Sequence, residues 1–242
     1  MKALVFVGML ATGLVAALTG TAPAAPIAYD GIQYPAGPLA GNGPAFGLSA
    51  AWVADPGVIV LPAGLASPLD LPSTGGGVGG NFNFQAPLSN LIAPAPGKEF
   101  WASFLIFHGA ANDQTFMGLS PAGVPPGLPP SVAFGVRLGQ YGIFVGGAFT
   151  PTPFVPSAVP DLLVMHFVTG GAGWIVTLYV NGLPAFATVV APVTYGTVVN
   201  QNQTGIESDE FRLGDVAGDV SAAGVVPAKG TTWGRVKQLY RQ

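Results

Sequence analysis

The side chains best placed for chemistry in this chain are aromatic rings beside turns, with carboxamides close by. Tyr141, Trp174 and Tyr195 each adjoin turn material, and Asn200-Gln201-Asn202-Gln203 follows the last of them. An exposed ring lies flat against the apolar face of a sugar, and a carboxamide matches a hydroxyl as donor and as acceptor. Tyr141, Trp174, Tyr195, Asn200 and Asn202 are therefore the candidate ligand-binding residues; the competing reading packs the rings in a core or hairpin. Nucleophilic and metal chemistry has less to work with. With no cysteine and two histidines, thiol nucleophiles, iron–sulfur clusters and cysteine zinc sites are excluded. His166 alternates with Val164 and Val168 in an apolar run, and His108 ends another, both ordinary places for a sheet histidine. Ser103 and Ser120 lack the Gly-x-Ser-x-Gly frame of a nucleophile elbow. No Lys-Ser/Thr follows the glycine-rich run 75–80, so it is a loop and not a phosphate cradle.

Composition narrows the partners. Charged residues make up 8% of the 242 positions, against about 25% in typical globular chains. Between Ala25 and Asn200 the only cations are Lys98 and Arg137, which rules out the basic stripe that nucleic-acid binding needs. A surface of Ser, Thr, Asn, Gln, Gly, Pro and apolar groups suits uncharged partners: neutral glycans, a matrix polymer, or copies of the same chain.

Lys2, the uncharged apolar run 3–18 and the small-x-small triplet Ala22-Pro23-Ala24 read as a signal peptide, residues 1–24, cut after Ala24. The run is shorter than the ~20 residues that span a bilayer, and no later stretch is long enough. The mature chain is thus expected to be secreted or held at the cell surface without a transmembrane segment. At over 200 residues it can stabilise itself by burial without disulfides.

Short runs rich in Val, Ile, Phe, Tyr and Trp, punctuated by Gly and Pro, predict strands near 27–33, 50–53, 58–61, 82–84, 99–108, 115–119, 132–138, 141–146, 161–169, 174–180, 185–191 and 207–214. Asn181-Gly182 between two such runs is a two-residue hairpin signal. Strands at this spacing predict an all-β sandwich or barrel. Beyond residue 220, a flexible stretch leads to a basic, amphipathic tail. Its Trp233, Val236, Leu239 and Tyr240 recur at helical spacing, with Arg235, Lys237 and Arg241 elsewhere. This short helical tail, 221–242, is expected to dock on the domain or on a partner, or to serve as an attachment signal.

Three blocks together resemble laminin-G-like domains of secreted bacterial proteins, in the concanavalin A-like lectin/glucanase superfamily. They are Ala28-Tyr29-Asp30-Gly31-Ile32-Gln33-Tyr34 with Ser49-Ala50-Ala51-Trp52; Glu99-Phe100-Trp101-Ala102-Ser103-Phe104-Leu105-Ile106; and Leu178-Tyr179-Val180-Asn181-Gly182 followed by Asp209-Glu210-Phe211-Arg212-Leu213-Gly214. The resemblance implies a two-sheet antiparallel jelly roll over 25–220, first and last strands adjacent. Hydrolases of the superfamily carry Glu-x-Asp-x-x-Glu on one strand as nucleophile and acid. Here Glu207-Ser208-Asp209-Glu210-Phe211-Arg212 puts Arg212 at the second glutamate, so no catalysis is expected. Relatives also often hold calcium with loop oxygens, and Asn112, Asp113, Asp215 and Asp219 are the available donors. The expectation is a non-catalytic extracellular module for neutral polysaccharide or matrix. The alternatives are a self-assembling envelope or matrix protein and, third, a divergent glycoside hydrolase.

Overall fold

The computed structural model describes residues 26–69, 73, 75–108, 114–202 and 206–221. The expected signal peptide, the calcium donors Asn112 and Asp113, and the tail beyond Ser221 lie outside the described residues. Sixteen strands occur among the described residues, and the first eight are β1 (Ala28–Asp30), β2 (Gly37–Pro38), β3 (Val53–Ala54), β4 (Ile59–Val60), β5 (Val78–Gly79), β6 (Phe82–Ile92), β7 (Glu99–His108) and β8 (Gln114–Ser120). The remainder are β9 (Val132–Arg137), β10 (Gln140–Val145), β11 (Ala148–Pro151), β12 (Asp161–Gly170), β13 (Gly173–Val180), β14 (Leu183–Val190), β15 (Tyr195–Asn202) and β16 (Ile206–Gly214).

They form two antiparallel sheets packed as a sandwich. One sheet has nine strands in the order β14-β13-β12-β7-β16-β5-β4-β2, with β1 also paired to β16. The other has seven, β11-β10-β9-β8-β15-β6-β3. Ala28 lies opposite Leu213, so the first and last strands are neighbours as the resemblance implies. Every predicted strand has a counterpart, and the Asn181-Gly182 turn closes the β13–β14 hairpin with positive φ at both residues. Several strands escape the pattern: the short β2, β5 and β11 lie outside every predicted run, as does one long strand, and another is longer than predicted. β15 was not predicted at all, and β6 runs on to Ile92 through Pro87, where a register shift opposite β15 accommodates the proline.

Period-two alternation sorts the side chains. Phe100, Phe104, Met165, Phe167, Trp174, Met117, Phe134, Tyr141, Ile143 and Tyr195 turn into one core between the sheets. Phe100 stacks on Phe167 at 4.2 Å and meets Trp174 edge-on at 5.2 Å, while Tyr195 lies 6.1 Å from Trp174. Favourable aromatic pairs of this kind add about 0.5–1.5 kcal/mol each beyond burial.

Among the buried acids, three aspartates each gather donors from segments that local pairing alone would not hold. Asp30 accepts from Trp52 Nε1 (2.6 Å), Tyr34 OH (2.7 Å) and the Ile32 amide (2.8 Å), joining β1 to the approach to β3 in the other sheet. Asp161 accepts from Tyr141 OH (2.6 Å), Asn181 Nδ2 (2.6 Å) and the Ser157 amide (3.0 Å). It thereby links β12, the β13–β14 turn and the connection 152–160 to β10 across the core. Burial, and then the bond to Asp161, push the Tyr141 phenol well above its ordinary range. Asp209 accepts from the Leu65 amide (2.9 Å), Ser73 Oγ (3.3 Å) and the Glu210 amide (2.7 Å), fixing the segment 61–77 over β16.

Two outcomes follow. Asp161→Ala strands three donors in a dry setting and should lower unfolding free energy by about 2–4 kcal/mol in urea titrations, whereas Ser157→Ala, on the rim of the same cluster, should cost under half of that. Burial pushes the Asp209 carboxyl from 3.8 up to about 7, outweighing the bonds that favour its ionised form. The folded state then binds this proton more tightly than the unfolded one, so the stability it contributes is present at acid pH and is lost as pH rises through about 7. Against Asp209→Asn, wild type should therefore lose relative stability between about pH 4 and pH 8, and a flat difference would contradict it.

Candidate functional site

Strand alternation also decides what reaches the surface. On the outer face of the seven-stranded sheet a second aromatic cluster forms, away from the main core: Phe116 on β8 and Phe144 on β10 lie 5.0 Å apart, and Phe149 on β11 lies 4.7 Å from Phe144. The neighbouring outward positions are glycines for a steric reason. A Cβ on Gly142 would sit 2.5 Å from the Phe149 ring, and one on Gly118 would sit 2.8 Å from Pro130 Cβ. With no side chains there, the proline-rich connection 121–131 folds down over the sheet. Gln85 Nε2 donates to Val124 O (3.0 Å) and Thr197 Oγ1 to Pro121 O (3.1 Å), pinning it in place.

Between this cover and the strands a pocket of about 160 Å³ remains, lined by Asn83, Gln114, Phe116, Leu128, Pro129, Pro130, Phe144 and Gln201 together with Gly127 and Gly147. Every polar lining side chain is a carboxamide. Gln114 Nε2 donates to Gln201 Oε1 at 2.6 Å, and Asn83 Nδ2 donates to Asp55 Oδ2 at 3.3 Å. Among the described residues the Gln201 carboxamide is engaged through its oxygen. Arg137, exposed and in register with Gln114, stands at the rim and does not line the pocket. At ~30 Å³ per water the space holds about five waters, which suits one small polar ring more than an extended chain.

The residues proposed from sequence fall elsewhere. Trp174, Tyr141 and Tyr195 are completely buried, because each takes an inward position of its strand and presents no ring face to solvent. This corrects the expectation of exposed stacking platforms. Trp174 Nε1 donates to Val193 O at 3.0 Å, and Tyr195 OH has no partner among the described residues. Asn200 and Asn202 are buried as well. Asn202 Nδ2 donates to Val78 O and Ser208 Oγ, both at 3.0 Å, while Asn200 lines a cavity of about 10 Å³ between the sheets. The residue between them, Gln201, is the one that faces the pocket. Once 195–202 is a strand, its alternation assigns 200 and 202 inward and 201 outward.

Of the expected calcium donors within the described residues, Asp215 pairs with Lys98 at 2.6 Å, and Asp219 Oδ2 accepts from the Val216 amide at 3.4 Å. A cation already occupies the approach to Asp215. Among the described residues no three His, Asp or Glu side chains converge as metal ligands. In the segment 207–212, Glu210 is fully buried at a bulge with φ 55° and binds Arg212 at 2.8 Å. Arg212 in turn lies 5.0 Å over the Tyr29 ring. Asp209 and Glu210 are thus both buried and partnered inside the protein. His166 stacks on Trp101 at 3.6 Å with Glu99 at 3.7 Å, a histidine on the sheet face as expected.

No family model matches the chain, and no curated protein matches it in sequence. Solved structures resemble it at low identity. The Emp46p carbohydrate recognition domain is 12% identical with a TM-score of 0.45, over 68% of this chain and 88% of that one. A human SPRY domain is 13% identical with a TM-score of 0.42, over 55% and 89%. The galectin LEC-6 of Caenorhabditis elegans is 16% identical with a TM-score of 0.33, over 54% and 94%. Likeness at this level carries no argument about ligand or partner, and the fold assignment rests on the strand pairing described above.

Tyr195→Phe removes a buried hydroxyl without a partner among the described residues, so it should leave the thermal midpoint unchanged or raise it. Asn202→Ala, which orphans Ser208 and the Val78 carbonyl, should lower the midpoint by several degrees in the same melting experiment.

Proposed function

We propose that this chain is a secreted, non-catalytic module that binds neutral polysaccharide, and that a sugar residue enters the pocket under the 121–131 connection. The observation that carries the reading is the chemistry of the lining: three carboxamides, two phenylalanines and no charged side chain, set in a domain with few cations. Carboxamides satisfy hydroxyls in either sense, while the apolar floor accepts the C–H face of a pyranose. An ionic ligand would find no counter-charge inside.

The leader-like opening residues support extracellular residence, and a domain of this size needs no disulfides to be stable there. Among the described residues no helix is long and apolar enough to cross a membrane.

The test is a panel of neutral oligosaccharides and insoluble polysaccharides, with hits followed by calorimetry. Gln201→Ala should weaken binding by about tenfold, equivalent to the loss of one well-made hydrogen bond of ~1.4 kcal/mol. Affinity should change little between about 0.05 M and 0.5 M salt, because screening has no ion pair to weaken. Reducing ends should not accumulate when the protein is incubated with any bound polymer. Failure of every neutral glycan to bind, or a steep loss of affinity with salt, would remove the basis of this reading.

A further inference from the structure

A sheet edge offers unpaired N–H and C=O groups, and natural proteins blunt such edges by shortness, proline, bulges or charge. Most edges here are treated that way. β11 is four residues long and ends at Pro151; β2 is two residues long and contains Pro38; β3 is two residues long. β14 is the exception. It is eight residues long, stands last in the nine-stranded sheet, and is paired on one side only among the described residues. Pro184 and the register shift opposite Leu178 and Tyr179, which leaves Ala185 without a partner, affect one end, and 186–190 runs on as plain ladder.

Charge is missing as well. No Asp, Glu, Lys or Arg occurs between Asp161 and Glu207, although residues 26–221 carry eleven acids against the three cations Lys98, Arg137 and Arg212. Asp30, Asp161, Asp209 and Glu210 are buried and Asp215 is paired with Lys98, so what sets the β13–β14 corner apart is its local lack of charge of either sign, which lets two copies approach there without stripping water from an ion. Apolar side chains flank the edge: Val189 is 56% exposed and lies in register with Ile175, 43% exposed, while Leu183 is 59% exposed.

We propose that β14 is a self-association interface through which two copies pair antiparallel across a two-fold axis, running their nine-stranded sheets together as one. An antiparallel strand is complementary to itself under such an axis, since each donor meets the acceptor of the same edge on the other copy. Ala185 and Ala187 keep the approach free of bulk. One strand and its flanking side chains give an interface at the low end, below about 1,200 Å², so the dissociation constant falls on the order of micromolar. The inference does not depend on what the pocket binds.

Sedimentation equilibrium of the full mature chain should show its mass doubling as concentration rises from about 1 to 100 µM. The double variant Ala187→Lys/Val189→Lys should stay monomeric over that range with an unchanged melting midpoint. Because the wild type has no cysteine, Ala187→Cys supplies a direct probe. On mild oxidation it should give a covalent dimer, while Val155→Cys, 64% exposed and outside β14, should not. A wild type that remains monomeric at every concentration would overturn the proposal. So would association that survives the two lysines, or cross-linking as fast at position 155 as at 187.

Discussion

A carboxylate taken out of water must be surrounded by donors, and this protein turns that requirement into its fastening. Asp30, Asp161 and Asp209 are each 3% exposed, and each gathers at least three donors. The first two draw them from both sheets, so the sandwich is held at two places by polar bonds as well as by its aromatic filling. The third anchors the long covering segment 61–77. A burial cost that would be prohibitive for a bare ion becomes a geometric instruction once several amides and hydroxyls must converge on it. In a chain with so few charges, several of them serve this internal purpose, which also explains how the surface comes to be so neutral.

That neutrality and the pocket are two aspects of one arrangement. The outer face of the seven-stranded sheet is not left bare; a proline-rich connection lies across it. Prolines hold the cover in few conformations even before it docks, so little entropy is lost when Gln85 and Thr197 bind its carbonyls. The remaining space is bounded by strands below and prolines above, with rigid walls and carboxamide linings.

Much of the sandwich could be read from the sequence because Gly and Pro punctuate apolar runs with a period of two. The Asn181-Gly182 hairpin was visible in the same way, whereas the adjacency of the first and last strands was an implication of the family resemblance alone. β15 stayed hidden because its second half, Asn200-Gln201-Asn202, is polar on both faces, and inward amides mimic a loop. That one omission misplaced the candidate site: Asn200 and Asn202 look available in a loop, whereas in a strand they are buried and Gln201 is not. Tyr141, Trp174 and Tyr195 were misread for a related reason. Standing next to a turn says nothing about which side of the pleat a ring takes, and all three take the inner side. Where the 121–131 connection comes to rest was not legible at all, since its prolines specify local bends but not the surface on which they land.

Gly118 and Gly142 give this architecture an unusual kind of adjustability. The depth of the chamber is set by atoms that are missing from the sheet, not by those that line it. A single methyl at either position would collide with Pro130 or with the Phe149 ring and raise the roof or tilt the wall. Related sequences could therefore change what fits inside while keeping every carboxamide, simply by trading absence for bulk on β8 or β10.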